Sequence, residues 1–288
     1  MSGAPSVLFD APGPATVRRH RLYTVLALVV LAGALALVGW RLYVEGQFAY
    51  DQWEVFITPR FVEAILVDGV WVVLQMAAAA VVLSLAFGLV FGVAKLAESP
   101  LVRLPATYVV EFFRAVPVLL LMILIFFSYG VTRGDSGAYW SVVLALMLYN
   151  GSVLAEVVRA GILAVPKGQS EAGLAIGLAR GRVTRLILLP QAVKIMLPSI
   201  ISQCVVALKD TSLGYAVAAP GLVRLMSSIY QQFGNQFATL VVTAALYVLM
   251  CSALTLLATW VQRRYVGEKQ ALAISETAGT DAATGKVV

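Results

Sequence analysis

Long uncharged runs recur along this chain, separated by short polar segments, and their length sets the first expectation. Leu22 to Trp40 carries no charge and meets the roughly 20 residues that a helix needs to cross bilayer hydrocarbon. The same pattern predicts spans over Gly69 to Ala94, Leu104 to Gly130, Tyr139 to Leu163, Leu186 to Leu208 and Phe237 to Val261. An all-α integral membrane protein with six transmembrane helices is therefore expected. Pro190 and Pro198 interrupt the fifth span, which membrane helices tolerate where neighbours satisfy the freed carbonyls. Gly88 and Gly92 form a GxxxG pair in the second, permitting close contact either inside the monomer or between copies.

The polar stretches divide the chain further. Residues 1–21 read as a Pro- and Gly-containing cytoplasmic tail, 22–40 as a first helix and 41–68 as an acidic extracytoplasmic loop. Within that loop Phe56 to Leu66 has the pattern of an amphipathic surface helix. A core over 69–262 follows, containing a basic, Gly-punctuated insert over 165–190, and 263–288 form a second tail. Lys209 to Gln236 reads as an irregular loop with a surface helix from Leu222 to Phe233.

Composition agrees with a membrane location. Hydrophobic residues make up 60% of the chain and charged ones 12%, about half the roughly 25% usual in soluble domains. The net charge of +6 is no sign of nucleic-acid binding, because the cations sit in loops between apolar runs rather than on one face. Most of the 21 Lys and Arg fall in the first tail, the Lys95 to Arg103 turn, the 165–190 insert and the final tail. The positive-inside bias thus places both termini in the cytoplasm of a multi-pass membrane protein. Ala34-Leu35-Ala36 resembles a signal-peptidase site, but the apolar run continues to Trp40, so an uncleaved anchor is expected.

Enzyme chemistry finds little foothold. Cys204 and Cys251 lie inside apolar runs without metal-ligand spacing, and His20, the single histidine, sits among Arg18, Arg19 and Arg21. Gly279 to Lys286, GTDAATGK, has one residue too many for a phosphate-binding loop and lacks its final Ser or Thr. No ATPase of its own is expected, and energy would come from another subunit.

The insert carries the sharpest signal. Pro166 and Gly168 stop the preceding helix, Ser170 or Gln169 can cap a new one, and Glu171 falls in its first turn. Gly177 and Gly181 keep that helix short, with Leu174, Ile176 and Leu178 on an apolar side and Arg180, Arg182 and Arg185 after it. A short helix with an apolar face between two spans suits docking. Glu171-Ala172-Gly173, then Gly177, Ile187 and Leu189-Pro190 stand at the spacing of the EAA loop of ABC-importer permeases, which this insert resembles. In that family the helix is a coupling helix that enters a groove on the ATPase. Gly173 departs from the family's usual second Ala.

The resemblance extends over residues 61 to 265. EFFRAVPVLLLM, YNGSVLAEVVRAGILAVPKGQSEAGLAIGL and LLPQAVKIMLPSIISQCVVALKDTSL are similar to successive segments of permeases for polar amino acids, the histidine, glutamine, glutamate and arginine group. With its extended N-terminus the chain is most similar to permeases of actinobacterial glutamate uptake systems. This implies a five-helix type I permease core with Leu22 to Trp40 as an added helix, in a bacterial cell membrane. It also implies paired permeases, alike or homologous, two ABC ATPase subunits carrying ATP and magnesium, and an extracytoplasmic amino acid-binding protein. This chain would be a transport subunit without catalytic residues or metal.

Charged groups inside spans cost a few kcal/mol each and tend to be paired or to mark a pathway. Glu111 with Arg114, and Glu156 with Arg159, have the three-residue spacing of a helical ion pair, while Lys194 reads as snorkelling. Lys209, Asp210, Thr211 and Ser212 together offer groups for both the ammonium and the carboxylate of an amino acid, and the resemblance puts Lys209 and Asp210 by the substrate site. Arg114 and Lys209 are the candidate cations for glutamate, and Asn150 lies on the expected pathway. The rival expectation is an ion-gradient-driven secondary transporter relaying protons or sodium through Glu111, Glu156 or Asp210. The repeated halves common in such transporters are not visible in this sequence.

Overall fold

The computed structural model describes residues 13–266, so the outer parts of both expected tails, with Gly279 to Lys286, lie outside the described residues. Among the described residues the chain is helical and contains no strand. The helices are α1 (Pro14–Val44), α2 (Tyr50–Trp53), α3 (Pro59–Ala64), α4 (Val72–Ala94), α5 (Pro100–Ala115) and α6 (Val118–Ile125). They continue as α7 (Gly134–Leu163), α8 (Lys167–Ala175), α9 (Arg180–Val183), α10 (Leu189–Asp210), α11 (Leu222–Phe233) and α12 (Gln236–Val266). Wide π turns over Ile65–Trp71 and Thr184–Leu188 join α3 to α4 and α9 to α10 without a break.

Among the described residues five helical segments are long and apolar enough to cross a membrane: Ala15–Val44, Pro59–Ala94, Val118–Leu163, Arg180–Val217 and Gln236–Arg264. The second begins well before the expected Gly69. Thr58 is extended and Pro59 takes the first helical positions, where its missing N–H costs nothing, so Phe56 to Leu66 is no separate surface helix. The expected third span, Leu104 to Gly130, is two helices. Val116 precedes Pro117 and is extended (φ −82°, ψ 128°), as steric conflict with a following proline ring requires, and this ends α5 before α6 begins. The Val118–Leu163 segment in turn folds back on itself at Gly134 (φ 58°), bringing Leu121 and Met122 against Val142, Val143 and Leu146.

α7 is the central helix, buried along most of its length against α4, α6 and α10. Two apolar helices in lipid gain nothing from the hydrophobic effect by meeting, so they must approach closely enough for dispersion to act. Gly88 and Gly92 of α4 supply that approach. A Cβ built on Gly88 would lie 2.7 Å from Leu154 Cβ, and one on Gly92 would lie 2.7 Å from the Ala155 carbonyl oxygen. The GxxxG pair is therefore spent inside the monomer. Ser84 Oγ donates to the Leu146 carbonyl at 3.3 Å across the same interface.

The expected surface helix Leu222 to Phe233 forms as α11. It buries Leu222, Met226 and Ile229, spaced three or four residues apart, against Val55, Ile65 and Val73. α1 is different, since its apolar window has 0% burial. The chain following it is nonetheless pinned to the start of α12. Phe48 meets Phe237 edge-on at 6.0 Å, and Asn235 Nδ2 donates to the Gln52 carbonyl at 3.1 Å.

Gly92→Ala should lower the thermal unfolding temperature of the purified protein, by an overpacking cost of about 1–3 kcal/mol, because a backbone oxygen blocks the new methyl. Gly33→Ala, with nothing within 4 Å of the added Cβ, should leave that temperature unchanged or slightly raised.

Candidate coupling surface and substrate pathway

α8 starts earlier than its sequence suggests. Pro166 is the N-cap residue (φ −53°, ψ 131°), so Lys167 and Gly168 are already helical and neither Ser170 nor Gln169 caps. Ser170 Oγ instead donates to the Lys167 carbonyl at 2.9 Å, and Gln169 Oε1 accepts from Gln191 Nε2 at 3.2 Å, which ties α8 to α10. Glu171 therefore lies in the second turn, not the first, exposed and outside every ion pair among the described residues.

The C-terminal end shows why Gly177 stands in the motif. Its N–H donates to the Leu174 carbonyl at 2.9 Å, and that of Leu178 donates to Gly173 at 3.2 Å, closing the helix in a Schellman arrangement. This requires a left-handed residue, and Gly177 has φ 83°.

Gly173 turns inward, and a Cβ there would lie 2.8 Å from Ile187 Cδ1 and 3.0 Å from Val183 Cγ2. The departure from Ala at this position thus makes room for the Ile187 seat. With Gly173 facing in, Ala172, Leu174 and Ile176 face out, Ile176 being 77% exposed. Leu189 packs beside Val158, Ile162 and Val165. Pro190 follows the Thr184–Leu188 π turn, which accommodates a ring that would otherwise strike the carbonyl four residues earlier.

Beside this surface lies an ion network that the local pairs only hinted at. Arg114 Nη1 meets Glu111 Oε2 at 3.5 Å and Arg159 Nε donates to Glu156 Oε2 at 2.9 Å, the two pairs expected from spacing. Lys95, read as part of a basic turn, joins them: its Nζ donates to Glu111 Oε1 at 3.1 Å and also to Glu156 Oε1. Only 7% of the Lys95 side chain is exposed. Its partners are 16 and 61 residues away. The one sequence signal was its position directly after a span. The network fastens the ends of α4, α5 and α7 that lie nearest α8.

The residues expected on a substrate pathway are spread along the bundle. Asn150, buried in mid-α7, accepts a hydrogen bond from Gln203 Nε2 of α10, while its own Nδ2 has no partner among the described residues. Gln203 was not singled out by sequence reasoning; an amide inside an apolar span was the available signal. Lys209 is exposed, Asp210 and Ser212 are half-buried, and Thr211 is buried with Oγ1 donating to the Leu208 carbonyl at 2.7 Å. These four consecutive residues point around the helix rather than to one spot. Lys209 and Asp210 belong to the last turn of α10, not to a loop. Gly214, just beyond, packs on Val142, whereas Arg114 is linked through the network to Glu156. At 1.5 Å per residue these levels of α7 lie about 20 Å apart. Arg114 belongs to the Lys95 network and the Lys209 group does not.

Cys204 and Cys251 are free thiols, and among the described residues no cluster could hold a metal ion. The membrane-length helices packed through small residues, with a short apolar-faced helix between two of them, define a polytopic membrane protein. A family model described as the binding-protein-dependent transport system inner membrane component matches residues 84–267, and the chain belongs to that family as a permease subunit of an ABC importer.

Its relatives include the glutamate transport system permease protein GluD of Corynebacterium glutamicum, 38% identical over 76% of this chain and 82% of that protein. The glutamate/aspartate import permease protein GltK of Escherichia coli O157:H7 is 29% identical over 69% and 92%. Among solved structures, an amino acid ABC transporter with histidines aligns with a TM-score of 0.63 at 25% identity over 71% of this chain and 95% of that one. The MetNI methionine ABC transporter shares the fold at a TM-score of 0.64 and 21% identity, over 72% and 99%.

Lys95→Met should remove the cation that Glu111 and Glu156 share, leaving each with one arginine, and cost about 1.5–3 kcal/mol, read as a lower unfolding temperature. Lys95→Arg, which keeps the charge, should recover most of the loss.

Proposed function

We propose that this chain is the membrane permease of an ATP-driven importer of polar amino acids, with glutamate as its substrate. The observation that carries the reading is the outward apolar face of α8, Leu174 and Ile176 beside an exposed Glu171, on a segment with the spacing of an ATPase-docking loop. The names of the relatives GluD and GltK support glutamate. Two ATPase subunits carry ATP and magnesium below the membrane, a second permease pairs with this one, and an extracytoplasmic binding protein delivers substrate. The basic α8 end of the bundle and both termini face the cytoplasm, as the positive-inside bias supports.

ATP binding acts on transport only through contacts that differ between the two states of the permease. α8 receives that difference from the ATPase. Gln169 with Gln191, and Gly173 on Ile187, hand it to α10, while Val165 leads it into α7. Because Lys95 fastens α4 and α5 to α7, those helices move together. Substrate passes Lys209, Asp210 and Ser212 before Asn150, with Thr211 shaping the wall, and Arg114 offers a cation further along. Net favourable contact with an α-carboxylate or γ-carboxylate requires such cations to be incompletely paired, as the 3.5 Å Arg114 contact is.

The gradient-driven rival draws on Glu111, Glu156 or Asp210; the first two carboxylates already face Lys95 and an arginine, and Asp210 is half-buried at the end of α10. Proteoliposomes containing the complete complex test the reading. Wild type should take up radiolabelled glutamate only with ATP. Ile176→Asp should cut uptake by at least about tenfold, since burying an unpaired carboxylate against the ATPase costs several kcal/mol. Asp210→Ala should change the apparent affinity for substrate. Uptake that runs on an ion gradient without ATP, indifferent to Ile176, would overturn the proposal.

A further inference from the structure

An open groove of about 820 Å³ lies between the end of α4, the turn into α5 and the start of the α9–α10 segment. It belongs neither to the α8 face nor to the substrate pathway. Its walls are apolar, formed in part by Leu89, Val90, Val102 and Leu189. Leu89 and Val90 are 42% and 63% exposed, so the groove opens onto the surface that α4 presents to the hydrocarbon. Its rim is cationic. Arg180 and Arg185 line it, and Arg182 follows on the same short helix. Arg180 is shared with Glu98 at 2.7 Å, in a pair whose side chains are 74% and 68% exposed. Arg185 has no carboxylate partner among the described residues.

An apolar trough that enters the bilayer and ends in arginines at the membrane edge has the chemistry of an anionic phospholipid: acyl chain below, phosphate above. A water-soluble subunit matches only half of it. Leu89 lies five residues before the end of α4 at Ala94, about 7 Å into the span at 1.5 Å per residue. That depth belongs to a lipid tail. We propose that this groove binds one anionic phospholipid, with its acyl chain along Leu89, Val90 and Leu189 and its phosphate at Arg185, assisted by Arg180 once Glu98 yields. The site rests on the chain spanning a membrane and not on which amino acid is carried.

The test uses the complete complex, stripped of loosely held lipid and reconstituted with phosphatidylcholine alone or mixed with phosphatidylglycerol, and reads retained lipid by native mass spectrometry. Wild type should retain phosphatidylglycerol in preference to phosphatidylcholine. Arg185→Gln should weaken that retention about fivefold, Arg180→Gln should weaken it too, and Arg185→Lys should keep it. Ala97→Trp, which fills the groove without changing charge, should release the lipid as well. Equal retention of both lipids by wild type, or undiminished phosphatidylglycerol in Arg185→Gln and Ala97→Trp, would overturn the proposal. So would loss of the ATPase subunits from those variants with lipid unchanged, since the groove would then be a protein interface. ATP-dependent uptake in phosphatidylcholine alone tests the transport function separately.

Discussion

Everything else in this bundle depends on the close approach of α4 to α7. In a hydrocarbon solvent apolar side chains have no reason to leave their surroundings, so helix association rests on contact and on hydrogen bonds. Gly88 and Gly92 bring the α4 backbone against Leu154, Ala155 and Val158 so tightly that a single methyl has no place. Once that contact is set, Lys95 emerges from the next turn beside Glu156. A longer interhelical distance would leave its ammonium stranded at the membrane edge. Packing thus comes first, and the ion network follows from it.

That network gives the α8 end of the molecule its mechanical character. Five charged groups, three cationic and two anionic, hold α4, α5 and α7 together. Next to them α8 is attached differently, through a proline at its start, a left-handed glycine at its end and one inward glycine seated on Ile187. The structure also separates two roles that the sequence presents side by side, since Glu171 stands free while Glu156 is consumed by Lys95 and Arg159.

Much of this was legible in the chain. Apolar run length marked the membrane-length segments, a surface helix was legible over Leu222 to Phe233, and the three-residue spacing marked both local ion pairs. Gly177 reads as a stop, and its positive φ is the reason. Other features were not legible. The break at Val116-Pro117 hid inside an apolar run, because hydropathy is blind to a backbone constraint imposed by one ring. Polar residues near a proline suggest a side-chain cap at Gln169 or Ser170, whereas Pro166 itself occupies the cap position and α8 starts earlier.

The sequence by itself determined that this protein lives in a membrane, that its spans are helices and that a short helix lies between two of them. Those properties follow from local quantities: run length, side-chain polarity, and the φ angles that proline and glycine permit. Only the tertiary structure decided that the GxxxG pair is used within the monomer and that Lys95 unites two ion pairs. It also decided that Gln203 meets Asn150. Each of these joins groups far apart in the chain, and what brings them together is a packing distance between helices, which a linear pattern does not encode.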